Sequence, residues 1–243
     1  MKATLLTPEN DPMGAAITEF YRTGKASKLR VFSSQFDEDE LPVAQLFRTF
    51  DEMPLLEQQA LNLAKGKILD VGAGSGCHAL ALQTLQKDVT AIDISPLSVE
   101  TMQARGVKQA YHINLFDDNF LEKYDTLLFL MNGSGIIGKL ENMHHFFSKM
   151  KQLLNDGGCI YMDSSDLRYL FEDEDGSFLI DLAGDYYGEV DFQMQYKQIK
   201  GDSFDWLYVD FETLSHYANQ NGFVAEMVAE GEHYDYLACL RLA

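Results

Sequence analysis

The chain has 243 residues, 46% hydrophobic and 12% aromatic, enough to bury a full core as one domain. Its 38 acidic residues against 19 basic ones give a net charge of −19, which disfavours nucleic acid and anionic membrane surfaces as partners. Cys77, Cys159 and Cys239 are far apart with no Cys-x-x-Cys pair, which argues against a disulfide framework or a metal site; with a polar N-terminus and no apolar run of membrane length, a soluble cytoplasmic protein is expected.

Residues 1–12, with Pro8, Asn10, Asp11 and Pro12, read as a loose lead-in. Residues 13–24 read as a helix with Ile17, Phe20 and Tyr21 on one side, 28–32 as a short strand or bend, and the acidic 37–40 as a solvated turn. Helices are expected over 42–47 and 54–65, where Leu56, Ala60 and Leu63 recur at helical spacing and Pro54 suits a first turn. Residues 1–65 are thus expected to be a helical N-terminal cap of the same domain, since nothing linker-like precedes Lys67.

The stretch KILDVGAGSG at 67–76 is the centre around which the rest of the chain is arranged. Ile68, Leu69 and Val71 suit a strand buried on both faces. Gly72, Gly74 and Gly76 then allow a sharp turn and close approach of a ligand to backbone. A helix is expected from Cys77 to about Gln86. The dinucleotide fingerprint fails because Cys77 stands where its third glycine is needed, and no Gly-Lys-Ser/Thr makes a P-loop. Asp93 closes the next apolar strand (89–92), 23 positions after Asp70, where a carboxylate can accept hydrogen bonds from both hydroxyls of a ribose.

Together, DVGAGSG at 70–76 and AIDIS at 91–95 resemble the class I S-adenosylmethionine-dependent methyltransferases, closely over residues 66–166 and by architecture over the last thirty. The resemblance implies a Rossmann-like α/β fold, a seven-stranded, mostly parallel sheet with an antiparallel C-terminal hairpin, occupying 66–243 with an insertion at 167–209. It implies S-adenosyl-L-methionine as cofactor, whose positive sulfonium tolerates an acidic rim. It places the backbone of Gly72, Gly74 and Gly76 along the methionine moiety, Asp93 at the ribose hydroxyls, and Asn114 and Leu115 at the adenine; Asp70 would orient the loop or meet the cofactor's ammonium, directly or through water, and Ala73 and Ile94 count among the cofactor-binding residues. Met131 and Asn132 fall near the adenosine or the methyl group, and Tyr21 and Arg48 would close over the cofactor, Arg48 against its carboxylate. The Asn-Pro-Pro-Tyr form used on nucleobase amines is absent after the fourth strand.

Further along, Ser95-Pro96 starts a helix that Gly106 ends, 111–114 and the apolar 126–130 read as strands, and Leu140, Met143, Phe147 and Met150 stripe a helix. The fifth strand is 159–163. Within 167–209, two alternating runs, 190–196 and 204–208, make a hairpin, and the acidic 172–175 before it reads as a solvent loop. A helix over 210–221 precedes strands 224–229 and 236–242, whose short link forces them antiparallel.

The expected reaction is in-line methyl transfer to a small-molecule acceptor whose reacting atom (oxygen, nitrogen, sulfur or carbon) stays open. No general base and no metal ligand set stands out. An aminopropyl transferase, an NAD-dependent oxidoreductase and a catalytically silent S-adenosylmethionine-binding partner protein remain as alternatives on the same scaffold.

Overall fold

A computed structural model describes residues 4–171 and 185–243. The acidic stretch 172–175, expected as a solvent loop, lies outside the described residues. In chain order the elements are α1 (Pro12–Thr23), β1 (Leu29–Phe32), β2 (Asp39–Leu41), α2 (Leu55–Leu63), β3 (Lys67–Val71), α3 (Cys77–Thr84), β4 (Asp88–Asp93), α4 (Pro96–Arg105), β5 (Ala110–His112), β6 (Tyr124–Phe129), α5 (Met143–Leu153), β7 (Leu154–Ser165), β8 (Glu189–Tyr196), β9 (Ile199–Lys200), β10 (Phe204–Leu207), α6 (Phe211–Gln220), β11 (Phe223–Glu230) and β12 (Asp235–Leu242). Residues Val43–Phe47 form a 3-10 turn where a helix is expected.

The main sheet runs β11-β12-β7-β6-β3-β4-β5. β3, β4, β5, β6 and β7 pair in parallel, while β12 pairs antiparallel with both β7 and β11. The mostly parallel seven-stranded sheet with its antiparallel C-terminal hairpin is therefore present. Alternation along the central strands explains why both faces are covered. Leu69, Val71, Leu127 and Phe129 pack with Phe146, Phe147 and Met150 of α5, and the intervening Ile68 and Leu128 pack on the other face with Ala60, Leu61, Ala79, Leu82 and Met102.

A second sheet, β10-β8-β1-β2 with β9 on β8, joins the N-terminal region to the insertion. The hairpin between β8 and β10 forms as expected, Phe204 opposite Phe192. The cap, however, is not all helical: Asp39–Leu41, within and beyond the expected solvated turn, is a strand on β1, and β1 pairs with β8, Val31 opposite Met194. β1 lies between β2 and β8, and its second partner is some 165 positions away, which local periodicity does not reveal. Leu29 and Tyr196 bury themselves with Ala16 and Val43 where α1 meets this sheet.

Candidate functional site

β3, β4, β6 and β7 bring their carboxyl ends to one edge. After β3 the chain turns with Gly72, Gly74 and Gly76 all at positive φ (68°, 55° and 83°). A Cβ at Gly72 would meet nothing within 4 Å, and at Gly74 only Ile17 Cδ1 at 4.0 Å, so this side of the loop is open to a ligand. At Gly76 a Cβ would fall 2.9 Å from Met102 Cγ and Val107 Cγ2, so that glycine serves the packing of α4. The loop is anchored from behind. Ser75 Oγ donates to the Leu46 carbonyl, and Arg105 Nη1 donates to the Ser75 carbonyl (2.6 Å) while its guanidinium lies 4.6 Å from the Phe47 ring centre.

The loop is aimed at Asp93. Gly74 N–H donates to Asp93 Oδ2 and Ser95 N–H to Oδ1, both at 2.8 Å. Burial is the main influence on this carboxyl and lifts it to about 6, against the pull of those two donors and helped by Asp11 and Asp70. Next door, the Ile94 carbonyl accepts Leu6 N–H at 2.9 Å and lies 2.8 Å from His112 Nε2. Asp11 is fully buried; it accepts Gly14 N–H (2.8 Å), capping α1, and Ser95 Oγ donates to it at 2.5 Å while itself accepting Ser98 N–H to cap α4. One small network thus fixes the starts of both helices beside Asp93.

Across the edge, Met131 and Asn132 follow β6 with consecutive positive φ, 65° and 57°, a conformation non-glycine residues adopt only when held. Asp163, at the end of β7, holds them: its Oδ2 accepts Met131 N–H and its Oδ1 accepts Gly133 N–H, each at 3.0 Å. Burial raises this carboxyl to about 6, against those donors. Ser165 Oγ donates to Asn132 Oδ1 at 2.8 Å. Asn114 accepts Phe116 N–H through its side chain (2.9 Å), in the turn after β5, while Leu115 is buried with Leu69 and Ile92.

Beneath the loop lies a buried chain of charge. Arg48 Nη2 donates to Glu57 Oε1 (2.8 Å) and Oε2 (2.9 Å), Glu57 Oε2 lies 2.8 Å from His78 Nε2, and His78 Nδ1 is 4.0 Å from Asp70 Oδ1. Arg48 Nε and Asp70 Oδ2 are buried with no hydrogen-bond partner among the described residues. Burial also raises the Asp70 carboxyl, opposed by the His78 charge.

Asp70, Gly72, Ala73, Gly74, Gly76, Asp93, Ile94, Met131 and Asn132 therefore gather at one edge. Tyr21, expected to close over the cofactor, lies one turn beyond Ile17, the α1 residue that meets Gly74; its hydroxyl donates to the Ala104 carbonyl on α4 (2.9 Å) and the residue is 43% exposed. Glu57, His78, Ser75, Arg105, Ile17 and Asp163 are additions. Only Asp163 carries a signal of the kind that marks Asp70 and Asp93, an acid at the end of an apolar strand. Two depressions of about 330 and 380 Å³, one along α1 at Leu97 and one by Gln83 and Lys108, leave the glycine loop untouched, so the site is defined by its chemical groups.

A family model described as a methyltransferase domain matches residues 69–160. A solved S-adenosylmethionine-dependent methyltransferase from Bacteroides fragilis, in complex with S-adenosyl-L-homocysteine, is 69% identical over 99% of this chain and 98% of its own, with a TM-score of 0.94. The chain belongs to the S-adenosylmethionine-dependent methyltransferases. The Streptomyces caelestis methyltransferase CcbJ (13% identity, 98% and 100% coverage, TM-score 0.63) and a methyltransferase from Clostridium acetobutylicum (13%, 79% and 93%, TM-score 0.56) share the fold. No curated protein matches the chain. Its methyl donor is S-adenosylmethionine, so the dinucleotide reading falls away. The residues fit that donor: an open Gly72 face suits a backbone-hugging ligand, and a buried acid and a buried base, each with an unpartnered atom, suit a ligand carrying ammonium and carboxylate. Among the described residues no helix is long and apolar enough to cross a membrane.

Proposed function

We propose that this methyltransferase moves the methyl group of S-adenosylmethionine onto a small-molecule acceptor by in-line displacement, in a reducing, cytoplasmic setting. The donor brings an already activated methyl on a sulfonium. The protein's task is alignment and exclusion of water, and holding reacting atoms about 3–3.5 Å apart is worth on the order of 7–11 kcal/mol. In this reading the Gly72–Gly74 backbone follows the methionine moiety, Asp70 meets its ammonium and Arg48 its carboxylate. Asp93 accepts the ribose hydroxyls with the lone pairs its two backbone donors leave, beside Ile94, and the turn at Asn114 and Leu115 borders the adenine. Met131 and Asn132 face the methyl.

The observation that carries the reading is the strained Met131–Asn132 pair pinned by Asp163, opposite the glycine loop and Asp93. Strain of that kind persists only where surrounding structure imposes it. A small acceptor is favoured by the aromatic wall that the insertion adds. A Cβ at Gly135, just beyond Asn132, would run into the Trp206 indole, and Tyr186 and Tyr187 pack 4.5 Å apart, the Tyr186 hydroxyl donating to Asp210 (2.6 Å) and the Tyr187 hydroxyl to Asp166 (2.8 Å). The net charge of −19 works against a nucleic-acid acceptor. Incubating the protein with S-adenosylmethionine and a panel of small amines, alcohols, thiols and carbon acids, and measuring S-adenosylhomocysteine release, tests this. Turnover with at least one small acceptor is expected; release confined to protein or nucleic-acid substrates, or none at all, overturns it.

A further inference from the structure

Arg48, Glu57, His78 and Asp70 come from four separate segments and meet only in the folded chain. Arg48 follows the 3-10 turn whose Leu46 carbonyl receives Ser75 Oγ, Glu57 is on the buried face of α2, His78 is in the first turn of α3, and Asp70 is on β3. Their side chains are 15%, 5%, 6% and 2% exposed. Burial acts against the His78 charge, but Cys77, the hydrogen bond to Glu57 and the nearby Asp70 and Glu57 carboxylates outweigh it and raise its pKa to about 10. Along the chain, basic and acidic side chains alternate: Arg48, Glu57, His78, Asp70.

Such a row is an expensive way to fill a core, since apolar side chains of like volume cost less to desolvate. Arg48–Glu57 and Glu57–His78 are hydrogen-bonded and His78 Nδ1 stands 4.0 Å from Asp70 Oδ1, while the two ends are open: Arg48 Nε at the cationic end and Asp70 Oδ2 at the anionic end lack a partner among the described residues. A ligand with a carboxylate for the first and an ammonium for the second would continue the alternation and satisfy both. We propose that Glu57 and His78 are positioning residues that hold Arg48 and Asp70 as a matched pair, so that the site selects a donor bearing an intact amino-acid zwitterion and discriminates against a decarboxylated one. This rests on the proposed function, in which Arg48 and Asp70 meet the donor's amino-acid end.

The test is calorimetric and needs no acceptor. S-adenosylhomocysteine carries the zwitterion, and 5′-methylthioadenosine keeps the adenosine and the thioether without it. In the full-length protein, Glu57→Gln preserves shape but breaks the alternation; it is expected to weaken S-adenosylhomocysteine about tenfold or more while 5′-methylthioadenosine changes by less than about twofold. Equal losses for both ligands would mean that Glu57 only supports the fold, and no loss for either would mean that it does not act on the site; each result overturns the proposal. His78→Gln, which leaves Glu57 on Arg48, carries the same comparison if Glu57→Gln does not fold. Arg48→Met separates the two levels. If it leaves the ratio of the two affinities unchanged, the assignment of Arg48 itself fails; if it lowers the ratio while Glu57→Gln and His78→Gln do not, the positioning role alone fails.

Discussion

Asp93 has each oxygen already engaged by a backbone N–H, yet a carboxylate has four lone-pair sites and two donors leave room for two more. That arithmetic makes its ionisation consequential. Burial raises Asp93 to about 6 from an ordinary 3.8, so the folded protein holds this proton more tightly than the unfolded chain does. Between about pH 4 and 6 the group's contribution to stability therefore falls as pH rises, and it is fully lost above the folded pKa. Binding runs the other way, because only the carboxylate accepts both hydroxyls. S-adenosylhomocysteine affinity, measured by calorimetry, should be about tenfold weaker at pH 5 than at pH 7.5, in step with the ionised fraction; a flat profile removes Asp93 from the ribose. Asp70 and Asp93 are legible in the sequence because each is an acid closing an apolar strand. Glu57 and His78 are not: a lone acid in an amphipathic helix and a lone histidine beside a glycine loop acquire their meaning only from each other, 21 positions apart.

At the level of elements, the glycine loop divides its labour between ligand and helix. Gly72 and Gly76 both stand at positive φ, where an alanine costs roughly 1–2 kcal/mol, but only Gly76 also has side chains where a Cβ would go. Gly76→Ala should lose about 2–4 kcal/mol in denaturant unfolding through the added overlap with Met102 and Val107. Gly72→Ala should lose about 1–2 kcal/mol and be felt chiefly as weaker cofactor binding. Equal effects of the two on stability would mean that Gly72 is not on an open face. The strand–loop–helix unit and the α4 cap at Ser95 are local signals, readable from a few consecutive residues. The buried face of α2 is less so: Leu63, expected on it, is 41% exposed at the helix end, and Glu57 takes a core-facing place beside Leu56, Ala60 and Leu61. Periodicity alone assigns such a place to an apolar residue; the ion pairs reverse that.

For the whole molecule, the donor's binding to the folded chain alone is a stabilising term. At about a hundred times its dissociation constant it adds roughly 2.7 kcal/mol, which for a chain of this length is a rise in melting temperature of about 5–10 °C, measurable by thermal shift. No shift with S-adenosylmethionine alongside none with S-adenosylhomocysteine would contradict the site. The parallel sheet and its terminal hairpin are legible because each strand and each connection length is a local quantity. The second sheet is not, since β1, paired locally with β2, finds its other partner in the distant β8. That pairing also has a consequence for biogenesis. When the ribosome has made the first forty residues, β1 and β2 have each other but β1's other edge, which β8 will cover, is bare until residue 196 has emerged. Contacts of such sequence separation are closed late and slowly, so the nascent chain carries an unpaired strand edge through most of its synthesis.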